Sequence, residues 1–139
     1  MLLAGSCRKD ELKGDKALLE GHWVWVQTRI YNPSSASPLL YHYPEPNLWL
    51  KIEFLKKGRI TIEFNDHDHY YQETSKRITF NEFEDDGTGV YSFSLRIRHG
   101  NYFRSMSGKL IHHGADTLVV DDLPLGDTLS TVTNYYTRD

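Results

Sequence analysis

Leu19-Glu20-Gly21-His22-Trp23, continued directly by Val24-Trp25-Val26-Gln27-Thr28-Arg29-Ile30-Tyr31, sets a short leucine-bearing segment, a glycine and a long aromatic-led run in succession. β-Branched and aromatic side chains suit a pleated, half-buried surface, so His22 to Tyr31 predicts a strand. Trp23 and Trp25 alternate with Val24 and Val26, both faces are partly apolar, and periodicity leaves the inward face of this strand open. Just upstream, Asp15 to Glu20 predicts a single helical turn, with Asp15 as cap and Gly21 as stop.

Working outward toward the C-terminus, the alternation becomes clean. Leu48, Leu50, Ile52 and Phe54 share one face against Trp49, Lys51 and Glu53. Lys56-Lys57-Gly58 turns the chain, and Ile60, Ile62 and Phe64 repeat the pattern, which predicts a hairpin with one wet face. Asn65 to Glu73 reads as a turn and a short strand, and Arg77 to Phe83 places Ile78 and Phe80 together. After the turn at Asp85-Asp86-Gly87-Thr88-Gly89, Tyr91, Phe93, Leu95 and Ile97 alternate with Ser92, Ser94, Arg96 and Arg98. His99-Gly100-Asn101 leads into Tyr102 to Ile111. The turn at His113 to Asp116 leads into Thr117 to Asp121, and the break at Leu123 to Asp127 into Leu129 to Arg138. Eight to nine short strands joined by short turns predict an all-β chain, an up-and-down antiparallel meander that removes its edges by closing into a barrel. One stretch differs. Asn32 to Asn47 carries Pro33, Pro38, Pro44 and Pro46, four of the five prolines, and predicts a long loop whose Leu39-Leu40-Tyr41 centre folds back onto the protein.

Composition bounds the rest. A chain of 139 residues is the length of one domain with a core of useful size. The net charge of -3 supplies no basic field for nucleic acid, and no apolar run approaches the roughly 20 residues of a membrane-spanning helix. The only cysteine is Cys7, so neither an intramolecular disulfide nor a cysteine-based zinc site can form.

Met1-Leu2-Leu3-Ala4-Gly5-Ser6-Cys7 resembles a bacterial lipobox, in which small residues fit the signal peptidase and the cysteine accepts the lipid. Arg8-Lys9-Asp10-Glu11 resembles the charged tether of lipoproteins from Bacteroidetes-type bacteria. The segment before Cys7 is shorter than a signal peptide requires, so the expectation is a late start or a fragment. Residues 1–15 are then a truncated signal remnant and tether, and residues 16–139 the folded domain. The plainer alternative is a free thiol near a frayed terminus.

Gly21-x-Trp23 on the first strand, with Leu19 in the short turn before it, resembles the lipocalin signature. Arg138, in Tyr135-Tyr136-Thr137-Arg138, stands where that family places an arginine on its last strand. The layout is similar to that of bacterial lipocalin-like lipoproteins. The resemblance implies a barrel closed at one end by the Trp23 indole beneath the Arg138 guanidinium, with Gly21, Trp23 and Arg138 structural. It also implies a lid formed by the long first loop, and lipidation at Cys7.

Chemistry-bearing constellations are few. In Asp66-His67-Asp68-His69 the two imidazoles would share a strand face, but a metal site needs further ligands, with His22, His112 and His113 as distant contributors. A solvated polar turn is the preferred reading, with no metal and no cofactor. No serine or cysteine stands in a nucleophile motif, and Glu82, Glu84, Asp85, Asp86, Asp121 and Asp122 read as solvated turns, so a non-enzymatic role is expected. The first expectation is a carrier or sensor of a small, partly apolar ligand. Its lining would come from Leu50, Ile52, Phe54 and Ile62, from Phe80, Tyr91, Phe93 and Leu95, and from Trp25. Gln27, Arg29 and Tyr136 would orient the ligand if they face inward, and Leu40 and Tyr43 would belong to the gate. The alternative is a solid barrel that binds a protein or glycan through exposed Tyr41, Tyr43, Trp49, Tyr70 and Tyr71. Either would sit at the cell envelope, held to the outer membrane through Cys7 and facing the periplasm or the cell surface.

Overall fold

The computed structural model describes residues 11–34, 39–75, 77–112, 116–122 and 131–139. Cys7, the turn residues 113–115, the break at 123–127 and the first two residues expected in the last strand, 129–130, lie outside this set. Among the described residues the chain is all-β apart from one 3₁₀ helix at Gly14–Leu19. Ten strands follow: β1 (Gly21–Tyr31), β2 (Leu39–His42), β3 (Leu48–Leu55), β4 (Arg59–Asp66), β5 (His69–Thr74), β6 (Arg77–Asp85), β7 (Val90–His99), β8 (Tyr102–Ile111), β9 (Thr117–Asp122) and β10 (Thr131–Arg138).

All neighbours pair antiparallel, in the order β5-β4-β3-β1-β10-β9-β8-β7-β6, with β2 added on β1. The last strand thus returns to the first, as an up-and-down meander requires, and the sheet curls into a barrel-like wall. Its two ends, β5 and β6, share no ladder. Here β6 is tied to the turn between β3 and β4 by the Ile78 amide donating to the Gly58 carbonyl (2.7 Å), and the residue after β5 to β4 by the Ser75 amide donating to the Ile60 carbonyl (2.8 Å). The buried Ser75 hydroxyl accepts from the Ile60 amide at 3.0 Å, so the crossing from β5 to β6 costs no unpaired backbone donor at this point.

The inward stripes fill as the alternation requires. Ile52, Phe54, Ile60, Ile78, Tyr91, Phe93, Leu95 and Ile97 are buried, joined by Met106, Leu110, Leu118, Val120 and Tyr136. The helical turn differs from expectation at its start. Its N-cap is Lys13, no side chain caps it, and Asp15 lies in the first turn. Gly21 takes φ of +117°, a conformation side-chain-bearing residues avoid, and a Cβ there would sit 3.2 Å from the Arg138 guanidinium.

The proline-rich stretch is not a single loop. Leu39–His42 pairs with Tyr31–Thr28, while β3 pairs through Lys51–Phe54 with Val24–Gly21. β2 and β3 therefore run collinearly along one edge of β1, interrupted by residues 43–47. Pro44 and Pro46 cannot donate to a ladder, which is why the pairing breaks there and resumes on either side.

Candidate functional site

One end of the barrel is plugged. The Trp23 indole, wholly buried, donates from Nε1 to the Leu19 carbonyl at 2.9 Å. The Arg138 guanidinium lies 4.2 Å above its ring. Arg138 also donates to the Glu20 carbonyl (2.8 Å) and to the Leu18 carbonyl, so the carbonyls at the C-terminal end of the 3₁₀ helix are satisfied by two side chains from the barrel. Asp116 fixes the guanidinium from the far side, 2.7 Å from Nε. Burial alone would raise the Asp116 carboxyl, but hydrogen bonds from Arg138 and His112 and their charge outweigh it and hold it below the ordinary aspartate value. Leu12, also buried, is tied in through its amide to the Lys56 carbonyl at 3.0 Å.

Beyond this plug the interior opens into a pocket of about 250 Å³ lined by Trp25, Thr28, Leu48, Leu50, Ile52, Ile62, Phe64, Arg104, Met106, Val120, Asn134 and Tyr136. Its position follows a rule along each strand. Phe54, Ile60, Leu110 and Leu118 are solid core. On the same strands the next inward positions farther from the plug line the pocket: Ile52 to Leu48, Ile62 and Phe64, Met106 and Arg104, and Val120. Gly108 separates Leu110 from Met106 and contributes no side chain to the interior.

Of the residues expected to line a cavity, Trp25, Leu50, Ile52, Ile62 and Tyr136 do so. Phe54, Tyr91, Phe93 and Leu95 instead fill the solid part of the interior. Phe80 packs edge-on against Phe83 at 5.7 Å and lies under the Lys16 ammonium at 4.9 Å. Gln27 and Arg29 face the other way for a definite reason. Trp25 pairs with Tyr136 but Gln27 with Tyr135, so Val26 is an extra residue, a β-bulge that inverts the alternation. After it Thr28, not Gln27 or Arg29, points inward with Asn134. Arg29 sits on the outer face 4.4 Å over the Tyr135 ring and 5.9 Å over that of Tyr41. Leu40 and Tyr43 are exposed, at 48% and 56%, and neither lines the pocket. Sequence reading missed Arg104, Met106, Val120 and Asn134 because β8 to β10 carry no strict alternation, and Thr28 because a bulge has no signature in this run.

His67 lies in the turn between β4 and β5 with φ of 53° rather than on a strand face beside His69. Among the described residues no three His, Cys, Asp or Glu side chains are grouped to hold a metal ion.

A polar cluster adjoins the pocket at the seam. Tyr71 and Glu73 stand directly across from the pocket-lining Phe64 and Ile62, and Tyr102 and Arg104 from His99 and Ile97. Glu73 Oε1 lies 2.7 Å from Nδ1 of the buried His99, Tyr71 donates its hydroxyl to Glu73 Oε2, and the His99 ring stacks on Tyr102 at 5.3 Å. This carboxylate ties β5 to β7 across the unpaired seam. The Tyr71 hydrogen bond, against opposing burial and with help from His99 and Arg104, holds the Glu73 carboxyl below its ordinary value. A depressed carboxylate stabilises the fold fully above its unfolded pKa, about 4.3, and loses that contribution as pH falls through the lower folded value. Glu73→Gln should therefore destabilise the protein at pH 7 and approach wild type near pH 3. Urea midpoints across that range check this, and a pH-independent difference would refute it.

No protein-family model, curated protein or solved structure matches this chain. The fold and site thus define it by architecture: an antiparallel up-and-down, barrel-like sheet, plugged at one end, with an apolar pocket beyond the plug. None of its helices is long and apolar enough to cross a membrane among the described residues.

Proposed function

We propose that the protein is a non-enzymatic, lipocalin-like carrier or sensor of a small, partly apolar ligand, held at the cell envelope through a lipid on Cys7. The observation that carries this reading is the pocket of about 250 Å³, whose walls are chiefly Leu48, Leu50, Ile52, Ile62, Phe64, Met106 and Val120. Concave apolar walls with a few polar groups are the usual chemistry of small-molecule sites, though the volume falls below the roughly 300–1,000 Å³ common for larger ligands. A compact ligand, or the end of a longer chain, fits it. The anchor rests on the lipobox-like run ending at Cys7, and the lipocalin-like assignment on the Gly21-x-Trp23 run with Arg138.

The neutral fluorophore N-phenyl-1-naphthylamine should brighten on binding the wild-type protein. Leu50→Trp, which places an indole in the pocket, should weaken binding about five- to 150-fold, since overpacking a filled site costs about 1–3 kcal/mol. Equal binding by the two proteins would place the probe elsewhere and overturn the carrier reading.

A second reading has its own support on the outer face. Tyr41 and Tyr43 stack at 6.5 Å beside Arg29, which also covers Tyr135, an array suited to a glycan or protein partner. A partner that survives Leu50→Trp but is lost on Tyr41→Ser would favour it over the carrier.

A further inference from the structure

The outer wall of β6 to β8 gathers positive charge from three separate segments of the chain. Arg77 stands directly opposite Arg98, and Arg98 opposite Phe103, while Arg96 lies between Thr79 and Ser105. These side chains point outward, because the alternate residues Ile78, Leu95, Ile97 and Met106 are buried. The Ile78 amide, bonded to the Gly58 carbonyl at 2.7 Å, brings the exposed Lys57 and Arg59 alongside the start of β6. Among the described residues no carboxylate forms an ion pair with any of these cations. Arg96 instead lies 4.2 Å over the Phe103 ring, and Arg98 donates to the Gly100 carbonyl at 3.3 Å. Glu11, whose neighbour Leu12 bonds the Lys56 carbonyl, is paired with Lys13 at 3.6 Å. On the outward face of β6 the carboxylates begin only at Glu82, opposite Ser94.

Like charges directly opposite on a ladder destabilise it. The whole chain carries a net charge of -3, so this face is a local concentration of charge against the overall sign. A guanidinium presents its donors in a planar fork that matches phosphate oxygens. Apolar surface adjoins the cations: Phe103 is 55% exposed, and Tyr102 beside it at the tip of the β7–β8 hairpin is 59% exposed. Exposed aromatic rings flanked by basic side chains suit the layer where lipid head groups meet acyl chains. We infer that this face docks on an anionic phospholipid surface, with Arg77, Arg96 and Arg98 on the phosphates and Phe103 in the interfacial layer. The contact involves neither the pocket nor Cys7, so its failure would leave the carrier reading and the lipid anchor untouched.

The test is co-sedimentation of the full chain, without any lipid on Cys7, with two kinds of vesicle. One contains equal parts of phosphatidylglycerol and phosphatidylcholine, the other phosphatidylcholine alone. The protein should bind the first and not the second, and binding should weaken as salt is raised. Arg96→Gln combined with Arg98→Gln should weaken it about thirtyfold, the equivalent of about 2 kcal/mol for two arginines at an anionic surface. Lys51→Gln combined with Lys109→Gln removes the same charge away from the patch and should weaken it less than about threefold. Phe103→Ser should weaken binding while its salt dependence persists. Arg77→Gln relieves the opposed pair, so it should weaken binding without lowering the urea midpoint, which separates loss of docking from loss of fold. No binding, equal binding to both vesicles, or equal losses in the two double variants would overturn the inference. So would displacement by free glycerol phosphate, which would make this a soluble phosphate site. Binding to a sulfated polysaccharide but not to the vesicles would assign the face to a glycan and overturn it too.

Discussion

Trp23→Ala should lower the stability of the protein by about 3–5 kcal/mol, the range for truncating a buried aromatic to alanine. The indole is fully buried, carries the Arg138 guanidinium on its face and hydrogen-bonds the Leu19 carbonyl. Alanine would leave a cavity beneath the guanidinium and an unsatisfied carbonyl at the end of the 3₁₀ helix. Single domains are stable by only about 5–15 kcal/mol in total, so the variant should unfold at a much lower urea concentration, with the slope of the transition unchanged. Trp49→Ala provides the contrast. Trp49 is half-buried on the outer face, tilted against Tyr70 at 6.2 Å and covered by the Lys51 ammonium at 5.2 Å, and its loss should cost about 1 kcal/mol. An unchanged midpoint in Trp23→Ala, or an equal loss in both variants, would show that the plug does not hold the barrel.

Gly108→Ala should be nearly as damaging, although it adds one methyl group. A Cβ at this position would come 1.8 Å from the Val119 carbonyl oxygen and within 3.0 Å of the Val120 Cα. Those atoms are backbone of β9, so they cannot swing aside as a flexible side chain could, and β8 and β9 must separate. Gly108 pairs with Phe93 on one side and Val120 on the other, so the separation reaches the buried interior. The expected cost is about 3 kcal/mol, the upper end for overpacking a close-packed site. Ser107→Ala, at the exposed neighbouring position, should change stability by no more than about 0.5 kcal/mol. Thermal unfolding of the pair decides it: similar melting temperatures for both variants would contradict the close approach of the two strands.

These two sites differ in how visible they were in sequence. Trp23 stood out through Gly21-x-Trp23 and its following run, and Arg138 through its place at the end of the last strand. Gly108 gave no signal, because a glycine inside a strand looks the same whether its neighbour is distant or pressed against it. The pocket divides in the same way. Leu48, Leu50, Ile52, Ile62 and Phe64 follow from alternation on β3 and β4. Thr28 and Asn134 do not, since the bulge at Val26 changes which residues of β1 face inward and is defined only by pairing with β10. The aromatic stripe of β7 was legible as inward but not as filled, because occupancy depends on what the opposite wall contributes.

The order of apolar and polar residues by itself determined an all-β chain, most strand positions, the inward faces of β3, β4 and β7, and the single helical turn before β1. Those are local properties, fixed by side chains alternating across a strand with a period of two. Tertiary structure alone decided that β2 and β3 share one edge of β1 and that the sheet ends meet without a ladder between β5 and β6. It also decided that Glu73 and His99 tie that seam, and that Arg104 lines the pocket near Glu73. Each of these depends on residues far apart in sequence being brought within bonding distance, and on where backbones approach closely enough to exclude or admit a side chain.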